Sequence, residues 1–124
     1  MAIFHHIIQP SVTVTHSSNT HTVDLDKPGN NYLVSINSGA ANVIAFSNLD
    51  ASRVGKSGNI ILQNPANVSN TTIAMDPGDA YTPGGSTINF NLTASATAII
   101  SYYVYASNKI LLNYVGKFQL LPQP

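Results

Sequence analysis

The chain has 124 residues, enough for one domain and too few for separate catalytic and binding domains. Only 8 % of it is charged, against about 25 % in an ordinary soluble domain, and five Lys and Arg balance five Asp with no Glu anywhere. Zero net charge with so few cations excludes a nucleic-acid groove and an anionic-membrane patch, both of which need clustered Lys and Arg.

Polarity comes instead from 13 Ser, 10 Thr and 14 Asn, which hydrogen-bond water without charge. With 44 % apolar residues the chain can bury a core, so disorder is a poor reading. The absence of Cys removes any disulfide framework, thiolate nucleophile or thiolate-held metal.

In chain order, residues 1–10 precede the regular pattern. Their apolar stretch is interrupted by His5 and His6 and lacks a basic start, so no secretory signal is expected, and no apolar run approaches membrane-spanning length. They read as an N-terminal arm. Period-two alternation then marks strands at 12–15, 32–36, 43–46 and, most clearly, Thr87-Ile88-Asn89-Phe90-Asn91-Leu92-Thr93. Denser runs at 59–63, 98–105 and 110–115 carry large residues on both faces, as central strands or strands in a subunit interface would.

Turn chemistry separates these runs, at Lys27-Pro28-Gly29-Asn30, Ser38-Gly39, Gly55-Lys56-Ser57-Gly58, Asp76-Pro77-Gly78-Asp79 and Pro83-Gly84-Gly85. Ser107-Asn108 is short enough for a hairpin that makes the last two runs antiparallel neighbours. No segment reads as a helix, because the charged solvent face of an amphipathic helix is missing. The expected fold is all-β: a β-sandwich or jelly-roll-like single domain with short terminal arms, the second being the uncharged, apolar and proline-rich residues 119–124. An apolar arm on a neutral protein is best accommodated against a neighbouring subunit.

Candidate chemistry is sparse. Gly55-Lys56-Ser57 resembles the tail of a phosphate-binding loop, but Asp50 stands where the first glycine is needed and a strand follows where a helix is needed, so a plain turn is the reading. His16 and His21 flank Ser17-Ser18-Asn19-Thr20, and a turn there would bring two imidazoles together as metal ligands, with no carboxylate beside them. His5 and His6 are adjacent and point opposite ways on an extended chain. The pairs Asp24 with Asp26 and Asp76 with Asp79 fit turn formation better than a calcium site, which needs six or more oxygens. Those four Asp are also the only candidates for an acid–base pair acting on polysaccharide, and nothing singles one out. No catalytic or cofactor residue is therefore assigned, and the expected chain is not an enzyme. Three Asn-x-Ser/Thr triplets, starting at Asn67, Asn70 and Asn91, are about what composition predicts. Tyr102, Tyr103 and Tyr105 sit in a dense apolar run, where core or interface packing precedes a sugar platform as the default.

Residues 32–118, about 70 % of the chain, resemble a small β-rich domain of tailed-bacteriophage structural proteins. The resemblance is carried by Tyr32-Leu33-Val34-Ser35-Ile36, by Val43-Ile44-Ala45-Phe46-Ser47-Asn48-Leu49, by Gly55-Lys56-Ser57-Gly58-Asn59-Ile60-Ile61-Leu62-Gln63-Asn64 and by Tyr81-Thr82-Pro83-Gly84-Gly85. Ala98-Ile99-Ile100-Ser101-Tyr102-Tyr103-Val104, Ile110-Leu111 and Val115-Gly116-Lys117-Phe118 close it. The departure is Thr71-Thr72-Ile73-Ala74-Met75, where related sequences tend to carry a tryptophan and this chain has none. What the resemblance implies is a virion protein; the small size, neutral surface and apolar arms then suit a capsid decoration, cement or head-knob subunit, and the Asn, Ser, Thr and Tyr surface suits the alternative, a tail-fibre or tail-tip module that binds host surface glycan. Its implied partners are copies of itself, in a trimer, and other virion proteins such as the major capsid protein, with no cofactor.

Overall fold

Strands form here because runs of Val, Ile, Leu, Tyr and Thr alternate with small polar residues, leaving one face of each to be buried. The computed structural model describes residues 11–37, 41–76, 78 and 80–122. In chain order the strands are β1 (Val12–Val14), β2 (His16–Ser17), β3 (Thr20–Asp24), β4 (Asn31–Ser35), β5 (Asn42–Ser47) and β6 (Ser57–Gln63). They continue with β7 (Thr71–Met75), β8 (Ala80–Tyr81), β9 (Asn89–Leu92), β10 (Thr97–Ala106) and β11 (Lys109–Phe118). Two single 3-10 turns, Ala51–Arg53 and Pro83–Gly85, are the helical segments among the described residues. No helix there is long and apolar enough to cross a membrane.

The fold is an all-β sandwich. One sheet has six strands in the order β1-β4-β6-β10-β11-β8, the other five in the order β2-β3-β5-β7-β9. From β3 to β10 the chain changes sheet at every step, so strands that neighbour each other within a sheet are often two apart in sequence and run the same way. Of the pairings among the described residues, β1–β4, β4–β6, β3–β5, β5–β7 and β8–β11 are parallel. Most of the segments read as turns therefore arch between sheets. The expected hairpin is present: β10 and β11 are antiparallel, joined through Ser107 and Asn108, with Asn108 in the left-handed region (φ 60°). β6 and β10 lie centrally in their sheet, as their density of apolar residues implies.

The inward faces meet in one core that includes Val23, Tyr32, Val34, Ile44, Ile60, Leu62, Ile73, Leu92, Ile100 and Ile110, all fully buried. Buried polar groups join its edges. Tyr102 donates its hydroxyl to the Asn30 carbonyl (2.7 Å), and Asn64 donates Nδ2 to the Leu92 carbonyl (2.9 Å), linking the segment after β6 to β9. Phe90 and Tyr114 stack across the sheets with ring centroids 4.5 Å apart.

Gly58 is required by a close approach. A Cβ on it would lie 1.8 Å from the Asn30 carbonyl oxygen, the atom that accepts from Tyr102. The arch before β4 can thus lie against β6 only where that strand has no side chain.

Candidate functional site

The most distinctive surface is the outer face of the six-stranded sheet. Alternation places Leu33, Ile61 and Ile99 in one cross-strand row, and Asn31, Asn59, Ser101 and Asn113 in the next. A third row runs Ser57, Tyr103, Leu111, Tyr81. None of these side chains is charged; Lys109 stands beyond them at the hairpin end of β11. Tyr81, Tyr103 and Leu111 are each more than 40 % exposed, and Tyr105 packs edge-on against Tyr81 with centroids 5.8 Å apart.

The interface-or-core expectation for the three tyrosines of β10 divides accordingly. Tyr102 is in the core, its ring 6.0 Å from that of Tyr32, whereas Tyr103 and Tyr105 stand on the outer face. Between Tyr81, Tyr103 and Leu111 lies a cleft of about 370 Å³, with Thr82, Ser101 and Asn113 as its polar margin. A sequence pattern alone cannot separate these tyrosines, because both faces of β10 carry large residues. The separating fact is that the five-stranded sheet covers the face of β10 that carries Tyr102 and leaves the face of Tyr103 and Tyr105 open.

Val115 opposes no residue of β10, because the register shifts between Ile99–Gly116 and Ile100–Tyr114; it is 53 % exposed. Beyond β11, Leu120 and Leu121 are 85 % and 79 % exposed.

Lys56, singled out by its phosphate-loop-like neighbourhood, has a structural role. Its Nζ donates to the Leu25 carbonyl (2.9 Å), the Lys27 carbonyl (2.9 Å) and the Tyr32 hydroxyl (2.7 Å), and it lies 5.2 Å from the Tyr32 ring centroid. Burial lowers the Lys56 pKa, helped by Arg53 and opposed by Asp24. Gly55 has φ 97°, as a turn glycine should. The ammonium thus fastens the arch after β3 to the start of β6, in place of binding a phosphate.

The Asp residues build turns. Asp24 Oδ1 accepts from the Asp26 amide (3.0 Å) and from Asn48 Nδ2 (2.6 Å), while Asp26 pairs with Arg53. Asp76 Oδ1 accepts from the Gly78 amide (3.1 Å), an Asx turn; Asp79 lies outside the described residues. Asp50 caps the first 3-10 turn through the Ser52 amide (3.0 Å).

His16 and His21 do come together, as cross-strand partners in the β2–β3 hairpin with ring centroids 5.3 Å apart. His21 is fully buried and bonds Asn42 Oδ1 through Nε2 at 2.7 Å. Burial lowers its pKa; the Asn42 bond opposes this, His16 adds to it, and the Asn37 carboxamide opposes it. Among the described residues no three His, Cys, Asp or Glu side chains gather as a metal cluster. His5 and His6 lie outside the described residues.

Compared with protein-family models, curated proteins and solved structures, the chain finds no match in any of the three.

Proposed function

We propose that this chain is a non-enzymatic structural protein of a bacteriophage virion that decorates or cements the capsid, as a head knob or coat subunit, and self-associates as a trimer. The observation that carries the reading is the uncharged outer face of the six-stranded sheet, rows of Leu, Ile, Tyr, Asn and Ser that span it from β4 to β8. Interfaces of permanent assemblies are depleted in charge at their centre and enriched in aromatic residues. Burying such a face removes no ion from water, so the desolvation cost of unpaired charges is avoided. The exposed Leu120 and Leu121 add an apolar chain end that a neighbour can cover. The resemblance of residues 32–118 to tailed-phage structural domains supplies the particle.

A second reading, a tail-fibre or tail-tip module that binds host surface glycan, is favoured by the cleft between Tyr81, Tyr103 and Leu111. Tyrosine faces with neutral amide and hydroxyl neighbours suit sugar rings. Quantitative mass spectrometry of purified virions separates the two. Decoration predicts copies on the scale of the capsid lattice; a handful per particle favours the fibre reading, and absence from the particle overturns both.

A further inference from the structure

At the other end of the sandwich, the β2–β3 hairpin sets His16 directly opposite His21. Alternation sends His21 inward with Val23, while His16 is on the exposed edge strand. The orientation of the Asn42 carboxamide is fixed by its own donations, Nδ2 to the Asn37 carbonyl (3.2 Å) and to Thr71 Oγ1 (3.0 Å). Its Oδ1 therefore faces His21 Nε2, which must carry the ring proton. In the neutral ring Nδ1 is left as a lone pair.

Asn37 is fixed in the same manner. Its Nδ2 donates to the Ser18 carbonyl (2.9 Å) and to Asn19 Oδ1 (3.1 Å), both in the turn of the hairpin that carries the two histidines. Asn37 Oδ1 and His21 Nδ1 are both buried, and neither has a hydrogen-bond partner among the described residues. Two acceptors are thus left beside one hairpin with no donor for either, an arrangement that calls for an electron-pair acceptor. A proton on Nδ1 would serve Asn37 Oδ1 alone and give the facing His16 ring no part.

The spacing of the two rings points to a different acceptor. With a metal–nitrogen bond of about 2.05 Å and about 1.1 Å from nitrogen to ring centre, two imidazoles at a tetrahedral angle have centroids about 5.1–5.2 Å apart. The observed separation is 5.3 Å.

We propose that His16 and His21 are the two imidazole ligands of a divalent transition-metal site at the β2–β3 hairpin, with Asn37 Oδ1 as the oxygen beside the ion. Imidazole donors without thiolates select zinc-like ions over calcium or magnesium. His16 is exposed, so water can complete the coordination from its side. The ion would pin the two-residue edge strand β2, whose turn holds Ser18 at a positive φ of 55°. This inference does not rest on the assembly reading, since the hairpin is in the other sheet from the tyrosine face.

The test uses the untagged full chain, stripped of metal, with ZnCl2 as the probe at pH 7.5. Long-range nitrogen NMR of the imidazoles reports the state of His21 Nδ1, and thermal denaturation reports binding through the rise in Tm that a ligand of the folded state causes. Expected is an unprotonated His21 Nδ1 that moves to a metal-bound position on adding Zn²⁺, with a Tm rise in step. His16→Ala, at an exposed position, should leave the metal-free Tm unchanged and weaken Zn²⁺ binding at least about tenfold, and Asn37→Ala should weaken it by about tenfold. The double variant His5→Ala/His6→Ala should bind as the parent does. A His21 Nδ1 that is already protonated without metal, or that is unmoved at millimolar Zn²⁺, overturns the proposal. So does binding that survives His16→Ala and is lost with His5 and His6.

Discussion

Replacing Lys56 with Met keeps most of the aliphatic stem over the Tyr32 ring and removes the ammonium. Three acceptors lose a charged donor: the Leu25 carbonyl, the Lys27 carbonyl and the Tyr32 hydroxyl. They do not weigh equally. Lys27 is exposed, and water replaces the lost bond there at little cost. Leu25 is buried at 1 % exposure, so its carbonyl is the costly orphan, worth about 1–2 kcal/mol. Tyr32 still donates to the Asp24 carbonyl (3.0 Å), so its loss is about 0.5–1 kcal/mol. Lys56 itself pays for partial burial, as its lowered pKa indicates, which trims the total. The net expectation for Lys56→Met is about 2 kcal/mol of lost stability. At a urea m-value of about 1.5 kcal/mol/M that lowers the unfolding midpoint by about 1.3 M with m unchanged. Lys117→Met is the control, because its Nζ makes one long, exposed bond to the Asn91 carbonyl (3.3 Å). It should move the midpoint by no more than about 0.3 M. A Lys56→Met midpoint within that same margin would refute the anchoring role and reopen the lysine as a ligand-binding group.

Gly58→Ala places a methyl into the Asn30 carbonyl and must push the arch off β6, at a cost of about 3 kcal/mol; urea unfolding measures it. Because Tyr102 pins that carbonyl, Tyr102→Phe should blunt the effect in a double-mutant cycle, and strict additivity would count against the coupling. Stability should also fall in alkali. Burial raises the Tyr102 hydroxyl above its usual value of 10 with Tyr32 adding to it, and pushes Tyr32 up to about 12 with Asp24 adding to it. The unfolded chain therefore ionises first, so this stabilisation is complete below pH 10 and is lost as pH rises through about 12. Urea midpoints at pH 9, 10.5 and 11.5 should decline, less steeply in Tyr102→Phe, and a flat profile would contradict the burial of both hydroxyls.

The sequence revealed strand positions better than it revealed their partners. Alternation in β4 and β9 identified which side chains face inward, and the Ser107-Asn108 spacing identified the β10–β11 hairpin. Parallel pairing of β3, β5 and β7 was not legible, because a period of two specifies a face and carries no information about the direction of the neighbouring strand. The two-residue strands β2 and β8 were too short to show any period, yet they position His16 and Tyr81. The hairpin that joins the histidines was foreseen from the four residues between them. Their amide partners were not: Asn37 and Asn42 lie 16 and 21 residues beyond His21, and only the change of sheet between β4 and β5 brings them back. The charge-free face was present in the composition as a scarcity of charge. It became a surface only when cross-strand register put Leu33 with Ile61 and Tyr103 with Leu111 and Tyr81.

The central claim is that this face is where copies of the chain meet, and sedimentation equilibrium of the full chain and of Leu111→Lys, from micromolar to about a hundred micromolar, tests it most directly. Leu111 is 43 % exposed at the middle of the aromatic row, so a lysine there puts a charge into the interface without disturbing the core. The expected parent mass is that of three 13.2 kDa chains, about 40 kDa, and the variant should sediment as a 13.2 kDa monomer with its thermal unfolding otherwise intact. A monomeric parent, or a variant that assembles as the parent does, would contradict it.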